Sequence, residues 1–191
     1  RSDSSAASDV YKRQDIKSEI AEEVKKITES GNRPPHLAAV IVGNDGASLT
    51  YVGSKVKACE KVGYESTLIK LPDETTEDEL LNQVEELNKN DSIDGYIVQL
   101  PLPSHIDTQT ILMAVDPDKD VDGFHPTNFG KMSLNLPTFI SATPSGIIEL
   151  LKRYKVQTEG KNTVVLGRSD IVGKPISILM GLKTNPGNST V

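Results

Sequence analysis

The sequence is poor in the residues that define several protein classes. It has one cysteine, Cys59, so no intramolecular disulfide can form, which fits a reducing compartment. It has no tryptophan, and aromatic residues make up only 4% of the chain. Its packing must therefore be aliphatic, which suits an α/β protein better than an all-β sandwich. No apolar run approaches the roughly 18 residues that a membrane-spanning helix needs. Positive charge is in the minority, with 21 Lys and Arg against 27 Asp and Glu and a formal net charge of −6. That balance argues against bulk nucleic-acid affinity, because counterion release needs clustered cations. It leaves room for a small anionic ligand in a locally basic pocket. The expectation is a soluble, cytosolic protein with no nucleic-acid or membrane partner.

Helix and strand patterns alternate from Asp15 onward. IKSEIAEEVKKI carries apolar residues at helical spacing and stops at Gly31–Asn32. LAAVIVG reads as a buried parallel strand, ASLTYVGSKVKACEKVG as a helix capped by Gly63, and STLIKL as a second strand. TTEDELLNQVEELNK opens with a capping-box pattern, and DGYIVQLPLP is a third strand stopped by two prolines. TQTILMAV is a helix, and residues 116–142 read as a long irregular stretch, of the kind usually kept for function or linkage. ATPSGIIELLKRYK then reads as a helix, KNTVVLG as a strand, and RSDIVGKPISILM as a glycine-bearing turn into a helix. The pattern implies a two-lobed α/β protein, a parallel sheet with helices on both faces, split near residue 143 into a complete first lobe and the beginning of a second. The expected boundaries are a disordered or extraneous leader at 1–14, a first lobe at 15–142 and an incomplete second lobe at 143–191. NSTV ends the chain as a new β-branched run begins, so a truncated domain is expected.

Four groups of residues carry candidate chemistry. Wound at about 100° per residue, the helix near Lys55 puts Ser48, Tyr51 and Lys55 beside the apolar stripe of Val52, Val56 and Cys59. An amine drawn against an apolar wall loses hydration, which disfavours its charged form and equips it for proton transfer. A tyrosine one turn away offers a ring for stacking and a hydroxyl for a proton network. The plainer alternative is a lysine that snorkels along the stripe with its ammonium in water. Gln99, Leu100 and Pro101 follow the third strand, beyond the carboxyl end of a parallel sheet, where ligands bind in such folds. There Gln99 either hydrogen-bonds the lysine amine or merely satisfies loop backbone.

In DPDKDVDGFHPTNFG the acids at 116, 118, 120 and 122 resemble a calcium loop only in part, and no closing glutamate follows. Asp122 ahead of Gly123 could instead accept paired N–H bonds from a heterocycle. His36 and His105 sit alone and His125 has no second His or Cys beside it, so no metal site is supported. In VVLGRSDIVGKP, a glycine turn before a helix is a setting for anion binding, and Arg168 beside Ser169 suits a phosphate. An ordinary glycine turn is the alternative, since G-x-G-x-x-G is absent.

Taken in order, Ser48-x-x-Tyr51-x-x-x-Lys55, VQLPLP, KDVDGF, ATPSG and GRSDIVGKP resemble the bifunctional methylenetetrahydrofolate dehydrogenase/methenyltetrahydrofolate cyclohydrolase family, from about Asp15 to Val191. The resemblance implies an N-terminal αβα catalytic, folate-binding domain at 15–142 and the start of a Rossmann-like NAD(P)-binding domain at 143–191. It also implies two reactions: oxidation of 5,10-methylenetetrahydrofolate by NADP, and hydrolysis of the methenyl product to 10-formyltetrahydrofolate. It implies that Lys55 handles the proton of the hydrolysis and that Tyr51 stacks on the folate. Gln99 would tune Lys55, Asp122 would anchor the pterin, and Ser48, Leu100 and Pro101 would line the same site. Gly167, Arg168 and Ser169 would hold cofactor phosphates, with Ile171, Val172, Gly173 and Pro175 shaping the turn. Arg168 favours NADP, with NAD possible, and the family implies a homodimer. Against the family pattern, the leader replaces the usual start, and the rest of the nucleotide domain and a late Pro-Gly-Gly-rich segment are missing. The expectation for the 191-residue polypeptide is therefore poor stability and weak or no activity. Two other readings remain, a non-catalytic α/β binding domain and a Rossmann-type dehydrogenase acting on another substrate such as an amino acid.

Overall fold

The computed structural model describes the backbone of residues 3–191, and side chains from residue 13 onward except that of residue 47. The chain forms two compact units, residues 1–108 and 109–191. This division by packing falls earlier than the boundary expected at 142/143, which follows the placing of chemical motifs.

The first unit starts with helix α1 (Asp3–Glu29). The leader, expected to be disordered or extraneous, is helical from Asp3, while Arg1 and Ser2 lie outside the described residues. Its composition explains the difference: no glycine or proline occurs before Gly31, so nothing stops the helix from running back from its periodic part. Three parallel strands follow, β1 (His36–Val42), β2 (Glu65–Leu71) and β3 (Gly95–Val98), in the order β2-β1-β3. Ala39 pairs with Leu68 on one side and with Ile97 on the other. The central β1 is buried from Ala38 to Val42, whereas the edge strand β2 exposes Glu65, Leu68 and Lys70. A strand with neighbours on both sides and helices near its faces can be apolar throughout, and LAAVIV is.

Helix α2 (Gly46–Val62) joins β1 to β2 and packs on both strands and on α1, with Val52, Cys59 and Val62 buried. Asp45 caps its start, accepting from the Ser48 N–H at 2.8 Å, and Gly63 ends it in the left-handed region. Helix α3 (Glu77–Lys89) buries Leu80, Val84 and Leu87, each worth about 1.5–3 kcal/mol of transfer energy. Its start is the expected capping box: the Glu79 N–H donates to Thr76 Oγ1 at 3.2 Å, and the Thr76 N–H donates to Glu79 Oε2 at 2.8 Å. At the amino end of the sheet, Arg33 grips Asp94 with two hydrogen bonds of 2.6 and 2.8 Å.

The second unit contains helices α4 (Thr108–Ala114), whose first residue lies in the first unit, α5 (Pro126–Ser133), α6 (Ala142–Arg153) and α7 (Gly173–Gly181). Two expectations need correcting here. The stretch 116–142 is not wholly irregular, because His125 caps α5 by accepting the Thr127 N–H on Nδ1 and Pro126 occupies its first turn. KNTVVLG does not form a strand; among the described residues it makes only an isolated bridge, Asn162 to Thr190. Val164 and Leu166 are accordingly 82% and 97% exposed. An apolar run becomes a strand only where neighbours take up its backbone groups.

Candidate functional site

The carboxyl ends of β1 and β3 share one edge of the sheet, since Val40 pairs with Val98 in parallel. The first turn of α2 leaves that edge just after β1, and Gln99 leaves it just after β3, its N–H donating to the Val40 carbonyl at 2.8 Å. Ser48 is buried, Tyr51 is 54% exposed and Lys55 is half-buried. The Lys55 ammonium lies over the Tyr51 ring, with Nζ 4.8 Å from the centroid. This is the pair that the helical spacing predicted. The negative face of the ring stabilises the cation by about 0.5–1 kcal/mol at an exposed site, and holds the ammonium in a defined place. Tyr51 at the same time presents accessible ring surface to a flat ligand.

Gln99 and Leu100 are half-buried and Pro101 is exposed, with the Leu100–Pro101 peptide cis. The Gln99 side-chain amide donates to the Leu100 carbonyl at 2.6 Å, which fixes the side chain along the exit of β3. Asp122 belongs to the second unit and is half-buried in a loop built by its neighbour Asp120. The Asp120 carboxylate is 4% exposed and accepts three N–H groups. These come from Phe124 at 3.2 Å, His125 at 2.8 Å and the Asn128 side chain at 2.9 Å. Asn128 also donates to the Pro117 carbonyl at 2.8 Å and accepts the Thr138 hydroxyl at 2.6 Å. Gly123 has φ +66°, and a Cβ there would come within 2.7–2.9 Å of the Phe139–Ser141 backbone. Only glycine meets both demands. Asp122 is therefore displayed from a loop clamped on either side.

Sequence reading missed Asp120, because one acid among four looks like a solvated face. The available signal was an Asp followed at +4 and +5 by Phe-His before a proline, a spacing that lets one carboxylate collect the N–H groups ahead of a helix. Among the described residues, no group of three or more His, Cys, Asp or Glu could hold a metal ion. No helix of the described residues is long and apolar enough to cross a membrane.

The turn before α7 is compact. A Cβ on Gly173 would lie 2.6 Å from the Arg168 nitrogen, so the helix start packs directly on the Gly167–Arg168 backbone. Ser169 Oγ accepts the N–H groups of Val172 and Gly173, each at 3.2 Å. Pro175 is buried, Ile171 is exposed, and Arg168 is exposed and has no ion pair among the described residues. Lys174 pairs with Asp170.

Residues 10–122 match the family described as tetrahydrofolate dehydrogenase/cyclohydrolase, catalytic domain, and residues 141–191 match its NAD(P)-binding domain. The bifunctional protein FolD of Flavobacterium johnsoniae is 68% identical over 177 residues, which is 93% of this chain and 60% of that protein. The crystal structure of the Campylobacter jejuni bifunctional FolD methylenetetrahydrofolate dehydrogenase/cyclohydrolase aligns with TM-score 0.88 at 41% identity, covering 93% of this chain and 62% of that one. The Trypanosoma brucei enzyme, solved with NADP cofactor and inhibitor, aligns with TM-score 0.86 at 34% identity, covering 93% and 60%. The chain thus spans about 60% of the length of the curated relatives it matches. With family matches over most of its residues, and with the sheet, the α2 face and the α7 turn in place, the chain belongs to the tetrahydrofolate dehydrogenase/cyclohydrolase family.

Proposed function

We propose that this chain carries the folate-binding and hydrolytic centre, and the first cofactor-binding turn, of a bifunctional one-carbon folate enzyme. The enzyme oxidises 5,10-methylenetetrahydrofolate to the methenyl compound with NADP, then hydrolyses that product to 10-formyltetrahydrofolate. The observation that carries this reading is the Lys55–Tyr51 pair at the carboxyl edge of the sheet, with the ammonium 4.8 Å from the ring centroid. Hydrolysis needs water to lose a proton as it adds to the bridging carbon, and a ring nitrogen to gain one as the C–N bond opens. A half-buried amine is suited to both transfers. Tyr51 stacks on the folate, and Ser48, Gln99, Leu100 and Pro101 line the site, Gln99 tuning Lys55. On the second unit, considered by itself, Asp122 is suited to accept N–H groups from a pterin-like heterocycle, held ready by Asp120 and Gly123.

The α7 turn fits an anionic cofactor, because its backbone is closely packed while the Arg168 guanidinium is exposed. Gly167, Arg168 and Ser169 hold the phosphates, with Ile171, Val172, Gly173 and Pro175 shaping the turn. Arg168 favours a ribose 2′-phosphate and hence NADP over NAD. When bound, NADP supplies the hydride acceptor; the chain contributes alignment, which hydride transfer chiefly requires. The functional division is 15–142 for folate and 143–191 for nucleotide, in a cytoplasmic homodimer. Lys55→Gln in the full-length protein tests this. Methenyltetrahydrofolate hydrolysis, followed by absorbance, should fall about 10²–10⁴-fold with NADP binding retained. Hydrolysis at the wild-type rate would remove Lys55 from the mechanism and the reading with it.

A further inference from the structure

Ser141 stands at the N-cap of α6, where a serine ordinarily accepts an N–H from its own helix. No such bond forms here. The hydroxyl instead donates to the Ile171 carbonyl at 2.7 Å, thirty residues along the chain, and the side chain is 2% exposed. The backbone of the same residue lies against Gly123, whose Cβ, if present, would be 2.7 Å from the Ser141 nitrogen. One residue therefore touches the neighbour of Asp122 with its main chain and the cofactor turn with its side chain. Beyond Ile171 the contacts continue without a gap. Val172 and Gly173 donate to Ser169 Oγ, and Gly173 packs on Gly167 and Arg168.

We propose that Ser141 is a positioning residue: its hydroxyl sets the Gly167–Gly173 turn for the cofactor phosphates and registers that turn to the loop bearing Asp122. The inference rests on the NADP reading above. Most of this turn is exposed and has no strand pairing, so it would sample many conformations if left untied. Fixing it before the nucleotide arrives removes that ordering cost from binding. The missing cap bond supports the assignment: a hydroxyl can donate and accept at once, yet this one is turned to the remote Ile171 carbonyl and takes no N–H of its own helix.

The test uses Ser141→Ala and Ser141→Thr in the full-length protein, with calorimetric titration of NADP and amide hydrogen exchange of the ligand-free form. Loss of one such hydrogen bond should raise the NADP Kd about threefold to tenfold. It should also speed exchange at residues 167–173, while Lys55-dependent hydrolysis of methenyltetrahydrofolate stays within about twofold. Thr, which keeps the hydroxyl, should restore the NADP Kd; should its extra methyl prevent folding, the Ala variant decides alone through the split between NADP affinity and hydrolysis. An unchanged Kd and unchanged exchange in Ser141→Ala would overturn the inference, as would a parallel loss of NADP affinity, hydrolysis and melting temperature. A wild-type protein that does not bind NADP would instead overturn the cofactor reading on which it stands.

Discussion

The two compact units are held together differently. In the first, a three-stranded ladder carries a continuous aliphatic core, and only Ser48 and Thr75 are buried polar residues among those described. In the second, Asp120, His125, Asn128, Ser141 and Thr158 are all buried, and each is hydrogen-bonded within the unit. The Thr158 hydroxyl, for instance, donates to the Gly187 carbonyl at 2.9 Å and accepts the Gly187 N–H at 2.8 Å. The first unit rests on area removed from water, which tolerates small shifts. The second adds to its own apolar core, which includes Ile111, Met132 and Met180, a set of buried directional bonds whose loss leaves groups unsatisfied. Two similar runs make the contrast concrete. LAAVIV is a strand because β2 and β3 flank it; TVVL has the same character but only a bridge beside it, and remains exposed.

The largest effect should come from breaking the ladder. Val40 is fully buried and paired on both sides, with Ile69 and Val98. Val40→Asp would bury an unpaired charge and should cost at least about 4 kcal/mol, a large part of the roughly 5–15 kcal/mol that stabilises an ordinary domain. Amide protection across β1–β3 should vanish. Val164→Asp, on the exposed run, should change stability by no more than about 0.5 kcal/mol. Equal costs at the two positions would mean that the second run is a strand in solution, and the contrast would fail.

A smaller but still large effect is expected at Gly123. Alanine there meets both the left-handed φ of +66° and a backbone wall at 2.7–2.9 Å. The cost should be about 2–4 kcal/mol, concentrated in the second unit. Hydrogen exchange should accelerate over residues 116–142 and leave β1–β3 protected. Uniform destabilisation of both units would show that they unfold as one body, and would blunt the comparison.

Much of the first unit was legible because its signals are local. The capping pair Thr76 and Glu79, the terminal Gly63 and the apolar run of β1 each specify their element within a few residues. The Lys55–Tyr51 pair was legible for the same reason, since residues four apart on a helix must meet. The second unit depends on partners far apart in sequence, and these were not readable. Nothing near Ser141 announces that its hydroxyl serves Ile171, and only the spacing from Asp120 to Phe124, His125 and Pro126 sets that acid apart from the other three. The α5 start was readable in principle, from the His125–Pro126 cap, but was lost in a stretch dominated by loop residues.

The smallest effect should come from the polar tie of the first unit, which is exposed where those of the second are buried. Arg33 grips Asp94 through two hydrogen bonds, and Asp94 also accepts the His36 N–H at 2.8 Å. The Arg33 guanidinium, helped by that N–H, holds the Asp94 carboxyl below its usual range. A carboxyl depressed by folding stabilises the native state above the ordinary carboxylate value, and this contribution is lost as pH falls through the folded value. Stability of the first unit should therefore be flat in this respect from pH 7 down to about 4, and decline below that. Asp94→Asn should remove that part of the acid dependence while lowering stability only slightly at neutral pH, because both charges are solvated and screened. The measurement is urea unfolding of wild type and variant at pH 7 and pH 3, in low and high salt. A loss at neutral pH as large as that of Gly123→Ala would show that exposed polar ties matter here as much as buried ones.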